Sequence, residues 1–454
     1  MKVFNTLSGQ KEDFHPGHRV VTMYVCGITA YDECHIGHAM TYIVFDVAKR
    51  YLRFKGYEVK HVQNFTDVDD KIIERANQLG VPPAELASKY TDQYFATMDA
   101  LNVERADVYP RATEEIPKII EIIQGLFGKG YAYEFQGSVY FRVRNFPDYG
   151  KLSHRTLADM IPKDTYCERG KEYPLDFALW KASKPGEPFW ESPWGQGRPG
   201  WHIECSAMAL KCLGDTIDIH GGGQDLVFPH HENEIAQSEG FTGEAPFVRY
   251  WLHNGLMQQD KQKMSKSMGN LVCVEDALDR FGSDAIRLFI LGSHYRSPLT
   301  YSEGALEASQ KGAERLRSAL THRTNADQGA AVVDAEPFEQ RFVEAMDDDF
   351  NSAQAIAALF ELVREINRGA EGGMRIAEAQ HTLLKLAGVL GLALKEKAQH
   401  ASDAEAFVGL LASIRDDLRQ SRQWQLADKI RNRLADLGVT LEDTPEGTRW
   451  KYRT

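Results

Sequence analysis

The chain has 454 residues, of which 43% are hydrophobic and 26% are charged, the balance of an ordinary globular protein with about three domains. No apolar run approaches the roughly 20 residues that span a bilayer, and the N-terminal stretch lacks the apolar core of a secretory signal, so we expect a cytoplasmic protein with no membrane partner. The net charge of −12 argues against general adhesion to nucleic acids, although a local basic surface can still bind RNA.

The first elements indicate a parallel sheet. Residues 20–27 (VVTMYVCG) are apolar, rich in β-branched side chains and end at a glycine, which predicts a buried strand. A loop over 28–40 follows, residues 41–56 place apolar side chains at helical spacing, and residues 57–65 predict the next strand. Strand, helix and strand within about 45 residues form a βαβ unit, so we expect a Rossmann-type, doubly wound parallel sheet.

The remaining pattern is mostly helical, with one more strand and one unusual segment. Residues 71–130 are mainly helical in pattern, and 215–223 predict a second strand that ends in glycines. A helix is expected to open over 228–240, with a proline in its first turn. Glycine, proline and tryptophan are dense over 180–201, which predicts an irregular insertion. From about residue 275 onward we expect helices almost throughout, with linkers over 325–336 and 396–404.

Two short motifs have the composition of phosphate-binding loops. HIGH (35–38) follows the first predicted strand, where an open α/β sheet binds ligands and a helix N-terminus meets phosphates. Its histidines can donate hydrogen bonds to phosphoryl oxygens, and Gly37 leaves the backbone accessible. KMSKS (263–267) places two lysines among serines, which suits a pyrophosphate leaving group. Each motif alone can equally be an ordinary polar loop.

A third set of residues has the chemistry of a metal site. Six cysteines are too few for a disulfide scaffold, so we expect free thiols or metal ligands. In FPHHENE, His230 and Glu234 share one helical face, whereas His231 and Glu232 are rotated away from it. Two cysteine thiolates, one imidazole and one carboxylate would make a tetrahedral zinc site. Spacing alone leaves open an alternative of buried structural cysteines and surface histidines.

HIGH followed by KMSKS resembles the class I aminoacyl-tRNA synthetases. Further stretches across the whole chain resemble the cysteinyl-tRNA synthetase family, among them CGITAYDECHIGHAM, NFTDVDDKI, GWHIECSAM, FPHHENEIAQSE, KMSKSMGN and LEDTPEGTRW. The resemblance implies an ATP-dependent, Mg²⁺-requiring enzyme that joins L-cysteine to tRNA(Cys), and we expect a monomer. It implies one Zn²⁺ per chain, bound by Cys26, Cys205, His230 and Glu234, with a cysteine pocket formed by Gly27, Thr29, Thr66 and Trp201. It also implies catalysis by His35, His38, Lys263 and Lys266, and ATP binding by His35, Gly37, His38 and Lys266.

The resemblance also implies how the domains are arranged and which residues contact the anticodon. The expected domains are the first half of the Rossmann catalytic domain (1–130), a connective insertion (131–200), the second half of the catalytic domain (201–255), the KMSKS loop with stem-contact helices (256–324), a helical bundle (325–398) and a small C-terminal anticodon-binding domain (399–454). Stacking faces and base-edge partners in the last domain are offered by Trp424, Asp428, Arg431, Asp443, Arg449 and Trp450.

Within FPHHENE we expect His231 to be only a neighbour of the zinc site, and Glu232 to face solvent or the helix N-terminus. Two rival functions remain. A cysteine ligase of mycothiol biosynthesis resembles the same core but needs no anticodon domain, and LEDTPEGTRW argues against it. A non-catalytic RNA-binding paralogue would not need HIGH, KMSKS and the four metal ligands together.

Overall fold

A computed structural model of the chain describes residues 1–17, 19–161, 167–259, 262–263, 272–324, 329–395, 401–444 and 447–452. The chain forms two compact units, Met1–Leu394 and Lys395–Thr454. In these described ranges, no helix combines the length and the apolar character that crossing a bilayer requires.

The strands are, in chain order, β1 (Lys2–Asn5), β2 (Gln10–Asp13), β3 (Val20–Val25), β4 (Glu58–Gln63), β5 (Ala132–Phe135), β6 (Ser138–Phe141), β7 (Phe177–Ala182), β8 (Gly197–Pro199), β9 (Ile217–Gly223), β10 (Val248–Asn254), β11 (Met257–Gln259), β12 (Gln262–Lys263), β13 (Leu299–Thr300), β14 (Val439–Thr444) and β15 (Gly447–Tyr452). The helices are α1 (Ile36–Phe54), α2 (Asp70–Leu79), α3 (Pro83–Ala100), α4 (Ile116–Gly128), α5 (Leu157–Met160), α6 (Trp201–Leu213), α7 (Glu232–Thr242), α8 (Val274–Phe281), α9 (Ser283–Leu291), α10 (Glu303–Thr321), α11 (Glu336–Asp347), α12 (Ser352–Glu371), α13 (Ala377–Val389), α14 (Ala401–Gln420) and α15 (Trp424–Asp436).

The parallel sheet has the strand order β10–β9–β3–β4, and all of its pairs are parallel. The chain therefore passes from the central strand β3 outward to β4 and later, from the other central strand β9, outward to β10 on the opposite side. Successive residues of β3 lie on opposite faces, because Met23 and Val25 belong to one buried apolar cluster and Tyr24 belongs to another. This arrangement confirms the predicted doubly wound sheet, and ligands bind where the strand order reverses, between β3 and β9.

Helix α1 begins at Ile36, five residues before the predicted start at residue 41, so most of HIGH lies inside the first helical turn rather than in a loop. His35 is the N-cap residue. Its side chain accepts a hydrogen bond from the backbone N–H of His38, and the His38 side chain accepts one from the backbone N–H of His35. The motif thus starts the helix by satisfying backbone donors that would otherwise lack partners.

The insertion is more regular than its composition predicts. Strands β5, β6, β7 and β8 form an antiparallel sheet in that order, so the expectation of an irregular segment is wrong for β7 and β8. Trp180 of β7 is fully buried, and a side chain at Gly197 of β8 would lie 2.3 Å from its indole Nε1. The glycine is therefore required because an aromatic ring packs directly over that strand, not because the chain turns.

The C-terminal unit is not wholly helical. Helices α14 and α15 precede the antiparallel hairpin of β14 and β15, which the helical pattern did not predict. Its apolar cluster contains Val408, Leu434 and Val439, with Trp450 packed against them. Helix α14 begins at Ala401, so residues 401–404 of the predicted linker are helical, and residues 396–400 lie outside the described ranges.

Candidate active site and metal centre

An open cleft with a cavity volume of about 300 Å³ lies at the reversal point between β3 and β9. This volume lies at the lower end of the range of clefts that hold small ligands, roughly 300–1,000 Å³. The predicted site residues that line it are Cys26, Gly27, Thr29, His35, Gly37, His38 and Trp201. The cleft therefore brings the first predicted strand, HIGH and the start of α6 to one place.

The four residues of the expected zinc set converge at the base of this cleft. Cys26 directly follows β3, Cys205 lies on α6, His230 lies in the turn Val227–His231, and Glu234 lies in the first turn of α7. All four are buried, and one ligand atom from each lies within 4.8 Å of the others. The groups come from four separate segments, so the tertiary fold alone brings them together.

The distances between these ligand atoms match a zinc tetrahedron. With Zn–S bonds of about 2.3 Å and Zn–N and Zn–O bonds of about 2.0 Å, tetrahedral angles place two sulfurs about 3.8 Å apart, sulfur and oxygen about 3.5 Å, and nitrogen and oxygen about 3.3 Å. The two Sγ atoms of Cys26 and Cys205 are 3.9 Å apart, and Cys26 Sγ is 3.6 Å from Glu234 Oε1. His230 Nε2 is 3.1 Å from the same oxygen.

The protonation of the cluster also suits a cation. A hydrogen bond from Cys26 lowers the pKa of Cys205 to about 6. Burial by itself raises the pKa of Glu234, but the charges and hydrogen bonds of His220 and His230 lower it to about 2. Burial lowers the pKa of His230, but Cys205 and Glu234 outweigh it and raise the value to about 10. The His230 imidazolium thus compensates part of the charge of a buried thiolate and a buried carboxylate, and a metal ion bound by these groups would displace its proton.

A second donor set shares two of these residues and was missed in the sequence. Cys26, His220, His231 and Glu234 also place ligand atoms within 4.8 Å of one another. In this set His231 Nε2 lies 3.3 Å from Cys26 Sγ but 3.9 Å from Glu234 Oε1, about 0.6 Å longer than a tetrahedral site needs. The first set therefore fits zinc better, and His231 contacts the proposed ligand Cys26 directly.

Four further histidines surround the ligands. His220 Nε2 lies 2.9 Å from Glu234 Oε2, which leaves Oε1 toward the centre. His202 Nδ1 lies 2.9 Å from His230 Nδ1, so the Nε2 atom of His230 faces Glu234. His231 Nδ1 is paired with His253 Nε2 at 2.7 Å. Such contacts orient metal ligands, and no sequence spacing could have identified them because the partners lie on different strands and helices.

Glu232 does not face solvent, so that part of the expectation is wrong, although the residue does lie in the first turn of α7. Its side chain is buried, and its carboxylate accepts hydrogen bonds from the backbone N–H groups of Gly150 (3.0 Å), Leu152 (3.3 Å) and Ser153 (2.8 Å) and from the Ser153 hydroxyl (2.8 Å). These donors lie about 80 residues earlier in the chain, in the insertion. Glu232 therefore anchors the insertion to the helix that carries Glu234.

The HIGH histidines are arranged as neutral hydrogen-bond donors. Their rings stack with centroids 3.6 Å apart, and in each ring Nδ1 accepts a backbone hydrogen bond. Burial lowers the pKa of His35 to about 4 and the pKa of His38 well below its ordinary value. Each ring is thus neutral near pH 7 with its proton on Nε2, an N–H group available to a phosphoryl oxygen. A side chain at Gly37 would lie 2.9 Å from Nδ1 of His35 and would disturb this arrangement.

Comparison with known proteins decides the family. A sequence profile described as the tRNA synthetases class I (C) catalytic domain matches residues 13–311, and the DALR domain profile matches residues 341–395. The chain is 57% identical to a cysteine–tRNA ligase of Dehalococcoides mccartyi, with 100% of both chains covered, and 48% identical to that of Heliobacterium modesticaldum, with 99% of both covered. The chain belongs to the cysteine–tRNA ligase family.

Solved structures agree on the fold. The Mycobacterium tuberculosis methionyl-tRNA synthetase in complex with methionyl-adenylate is similar with a TM-score of 0.57 at 17% identity, over 82% of this chain and 90% of that one. A putative arginyl-tRNA synthetase from Campylobacter jejuni is similar with a TM-score of 0.51 at 14% identity, over 83% of this chain and 91% of that one. At such identities the likeness shows the fold alone. The ligase is a class I aminoacyl-tRNA synthetase with a Rossmann-type catalytic domain.

Three of the four expected cysteine-pocket residues of the ligase line the cleft, and the fourth is not part of its lining. Trp201 lines the cleft with its ring centroid 4.3 Å from that of His230, and Thr29 also lines it. Gly27 lines it too, but a side chain there would lie 1.6 Å from the Asn64 carbonyl oxygen, so the glycine is required by this close backbone approach. Thr66 is buried behind the cleft, where its hydroxyl donates to Glu204 at 3.1 Å.

Lys71 and Tyr31 also line the cleft of the ligase, although the sequence analysis did not single them out. The Lys71 ammonium lies 5.7 Å from the Tyr31 ring centroid. A lysine in a helix carries no spacing signal, so this position could not be found from the pattern. Lys263 is the last residue of β12, whose side chains are not described, and Lys266 lies outside the described residues.

The expected anticodon residues lie in the C-terminal unit of the ligase. Trp424 begins α15 and is 55% exposed, and Asp428 pairs with Arg431 at 3.2 Å on the same helix. Trp450 packs against the apolar cluster of the unit. Asp443 and Arg449 occupy the hairpin strands, and their side chains are not described.

Proposed function

We propose that this ligase activates L-cysteine with ATP and Mg²⁺ to cysteinyl-adenylate and then transfers cysteine to the 3′-terminal adenosine of tRNA(Cys). We further propose that Zn²⁺, bound by Cys26, Cys205, His230 and Glu234, recognises the substrate thiol. The observation that carries the proposal is the match between the ligand-atom distances and a zinc tetrahedron, at the base of a cleft that Cys26 shares with the HIGH histidines.

Recognition of sulfur explains why the site is built from these groups. Cysteine and serine differ only by sulfur for oxygen, and a pocket that selects by shape discriminates weakly between near-isosteres. Bound Zn²⁺ supplies a partner that prefers a thiolate to a neutral hydroxyl. The protein holds the ligands in place through His202 and His220, and the indole of Trp201 forms a wall beside His230.

Activation joins the carboxylate of cysteine to the α-phosphorus of ATP and breaks the bond to the leaving diphosphate. His35 and His38 donate their Nε2–H groups to phosphate oxygens, and because both rings are neutral they act as dipoles rather than as acids. The N-terminus of the 19-residue helix α1 adds a partial positive charge at the same point. Lys263 and Lys266 are proposed to follow the departing diphosphate, and Gly37 leaves room for the nucleotide.

Transfer follows when the terminal adenosine attacks the acyl carbon through its 2′-OH and AMP leaves. The anticodon is proposed to contact the C-terminal unit at Trp424, Asp428, Arg431, Asp443, Arg449 and Trp450. The exposed ring of Trp424 supports base stacking best, whereas the packing of Trp450 supports a structural role for that residue. Affinity for the polyanionic tRNA is expected to fall with increasing salt.

The test measures zinc content and cysteine-dependent pyrophosphate exchange on the same preparation. We expect about one Zn²⁺ per chain and exchange that depends on cysteine and is not supported by serine. Lys266→Ala should slow exchange, and Lys184→Ala, which removes a highly exposed lysine of the insertion, should not. Exchange without transfer to tRNA, but with transfer to glucosaminyl-inositol, would favour the mycothiol-pathway reaction. RNA binding without any exchange would favour a non-catalytic paralogue.

A further inference from the structure

Three hydrogen bonds hold the backbone on both sides of Cys26. The Cys26 N–H group donates to the Gly221 carbonyl of β9 at 3.1 Å, at the point where β3 ends. The next peptide unit, between Cys26 and Gly27, is held at both of its ends. Its N–H group donates to Asn64 Oδ1 at 2.8 Å, and its carbonyl accepts a hydrogen bond from the Tyr42 hydroxyl at 3.4 Å. We refer to Asn64 and Tyr42 together as the Cys26 clamp.

The two members of the Cys26 clamp come from different elements and are both ordered by their surroundings. Asn64 directly follows β4 and is 1% exposed, and Tyr42 lies on α1, the helix that begins in HIGH, and is 5% exposed. The Tyr42 ring packs edge-on against the Tyr94 ring, with centroids 5.2 Å apart. The clamp therefore joins the helix of the phosphate motif to the peptide that follows Cys26.

The clamp determines the direction in which the Cys26 side chain leaves the backbone. A peptide unit is planar, so a hydrogen bond at each end fixes the orientation of its plane and with it the ψ angle of Cys26. The bond from Cys26 N–H to β9 fixes the preceding peptide in the same way. With both peptides fixed, only the rotation about χ1 remains to place the sulfur.

The segment that carries Asn64 runs close beside residues 26–30. A side chain at Gly27 would lie 1.6 Å from the Asn64 carbonyl oxygen, and only this close approach lets the Asn64 amide reach the Gly27 N–H group. Two residues later, the Thr66 N–H group donates to the Ile28 carbonyl at 3.1 Å, and the Thr66 carbonyl accepts from the Ala30 N–H group at 3.2 Å. The stretch NFTDVDDKI thus begins with residues that fix the loop after β3.

We infer that Asn64 is a positioning residue of the metal centre, which holds Cys26 Sγ at the distances from Cys205 and Glu234 that a tetrahedral ion requires. The inference rests on the proposed function, because it assigns Cys26 to the zinc ligands. Cys205 and Glu234 lie on helices, whereas Cys26 lies on irregular backbone just after β3. Metal ligands need supporting contacts that hold them to within about 0.5 Å, and for the backbone of Cys26 the clamp supplies them.

The test compares two substitutions of Asn64 that differ in the acceptor. Asn64→Leu keeps the approximate shape of the side chain and removes Oδ1, whereas Asn64→Asp keeps an oxygen at that position. Asn351→Ala is the matched control, because Asn351 Oδ1 also accepts a backbone hydrogen bond, from Gln354 at 3.2 Å, but caps a helix and does not line the cleft. Zinc affinity is measured by competition with a chromophoric chelator.

We expect Asn64→Leu to lower zinc affinity about tenfold, Asn64→Asp to stay closer to the wild type, and Asn351→Ala to match it. Tyr42→Phe removes the other hydrogen bond of the clamp and should lower zinc affinity less, because a 3.4 Å hydrogen bond is weak. An equal loss in Asn64→Asp and Asn64→Leu would show that the acceptor is not the cause and would overturn the inference. Unchanged affinity in Asn64→Leu would also overturn it.

Cobalt spectra separate positioning from general stability. Bound to thiolates, Co²⁺ gives sulfur-to-metal charge-transfer absorption, whose intensity reports the number of cysteine sulfurs on the ion. Saturated with Co²⁺, Asn64→Leu should lose part of this absorption and approach the spectrum of Cys26→Ser. A lowered melting temperature of the metal-free protein with an unchanged cobalt spectrum would assign Asn64 a purely structural role and contradict the inference. Absence of metal binding in the wild type would instead refute the proposed function.

Discussion

Adjacent histidines on one turn are predicted to respond differently to the same substitution. His230→Gln removes an imidazole whose Nε2 is one of the four proposed zinc ligands and lies 3.1 Å from Glu234 Oε1. His231→Gln removes one that lies 3.9 Å from that oxygen and pairs through Nδ1 with His253. Both side chains are buried, and both variants keep the side chain's length and polarity, so each serves as the control for the other.

The size of the effect follows from the number of ligands. Zinc binding by sites with four protein ligands is worth about 10–16 kcal/mol, so one ligand accounts for about 3 kcal/mol, or more than about 100-fold in affinity. His231 contacts the proposed ligand Cys26 and is held by His253. Loss of such a supporting group lowers metal affinity about 10-fold to 100-fold. We therefore expect His230→Gln to weaken zinc binding more than His231→Gln does.

Zinc affinity is measured by competition with a chromophoric chelator, and circular dichroism melts of the metal-free proteins show whether either variant is misfolded. The reverse order, with His231→Gln losing the metal first, would assign the ion to Cys26, His220, His231 and Glu234 and refute the distance argument. An equal loss of zinc affinity in both variants would mean that neither set of four ligands alone describes the metal centre. Chelation of the wild type should abolish cysteine-dependent exchange, and added zinc should restore it.

Three further predictions address the surrounding structure. Glu232→Gln should lower the free energy of unfolding by about 2–3 kcal/mol in urea titrations, because an amide nitrogen would face backbone donors near Ser153; a change below about 0.5 kcal/mol would contradict this. Burial, with the charges of Lys49 and Arg53, lowers the pKa of His61 to about 3, so its contribution to stability is complete above about pH 6.5 and is lost as the pH falls toward 3. His61→Leu should therefore reduce the stability lost between pH 6.5 and 5 by about 2 kcal/mol, and an unchanged loss would refute the burial argument. His38→Ala should slow pyrophosphate exchange about 100-fold with unchanged zinc content, whereas full exchange would remove His38 from the phosphate site.

Local pattern was sufficient for the elements whose neighbours in sequence are also their neighbours in space. The alternation and apolarity of residues 20–27 and 57–65 identified β3 and β4, and helical periodicity identified the body of α1, because both periods arise within a few residues. The order of HIGH and KMSKS, with the stretches around them, was sufficient for the family. Cys26, Cys205, His230 and Glu234 came from that resemblance and not from spacing, since no short motif contains them together.

Contacts between segments distant in the sequence determined the polar surroundings of the site and the packing of the insertion. Only the folded chain brings His220 and His231 beside Cys26, and only there does Glu232 find the donors of residues 150–153. The insertion seemed irregular because its glycines are typical of turns, yet Gly197 exists to admit Trp180 from a neighbouring strand. Periodicity reports which face of an element is apolar, but not which distant groups approach that face, so the polar partners of a buried centre are determined by tertiary packing.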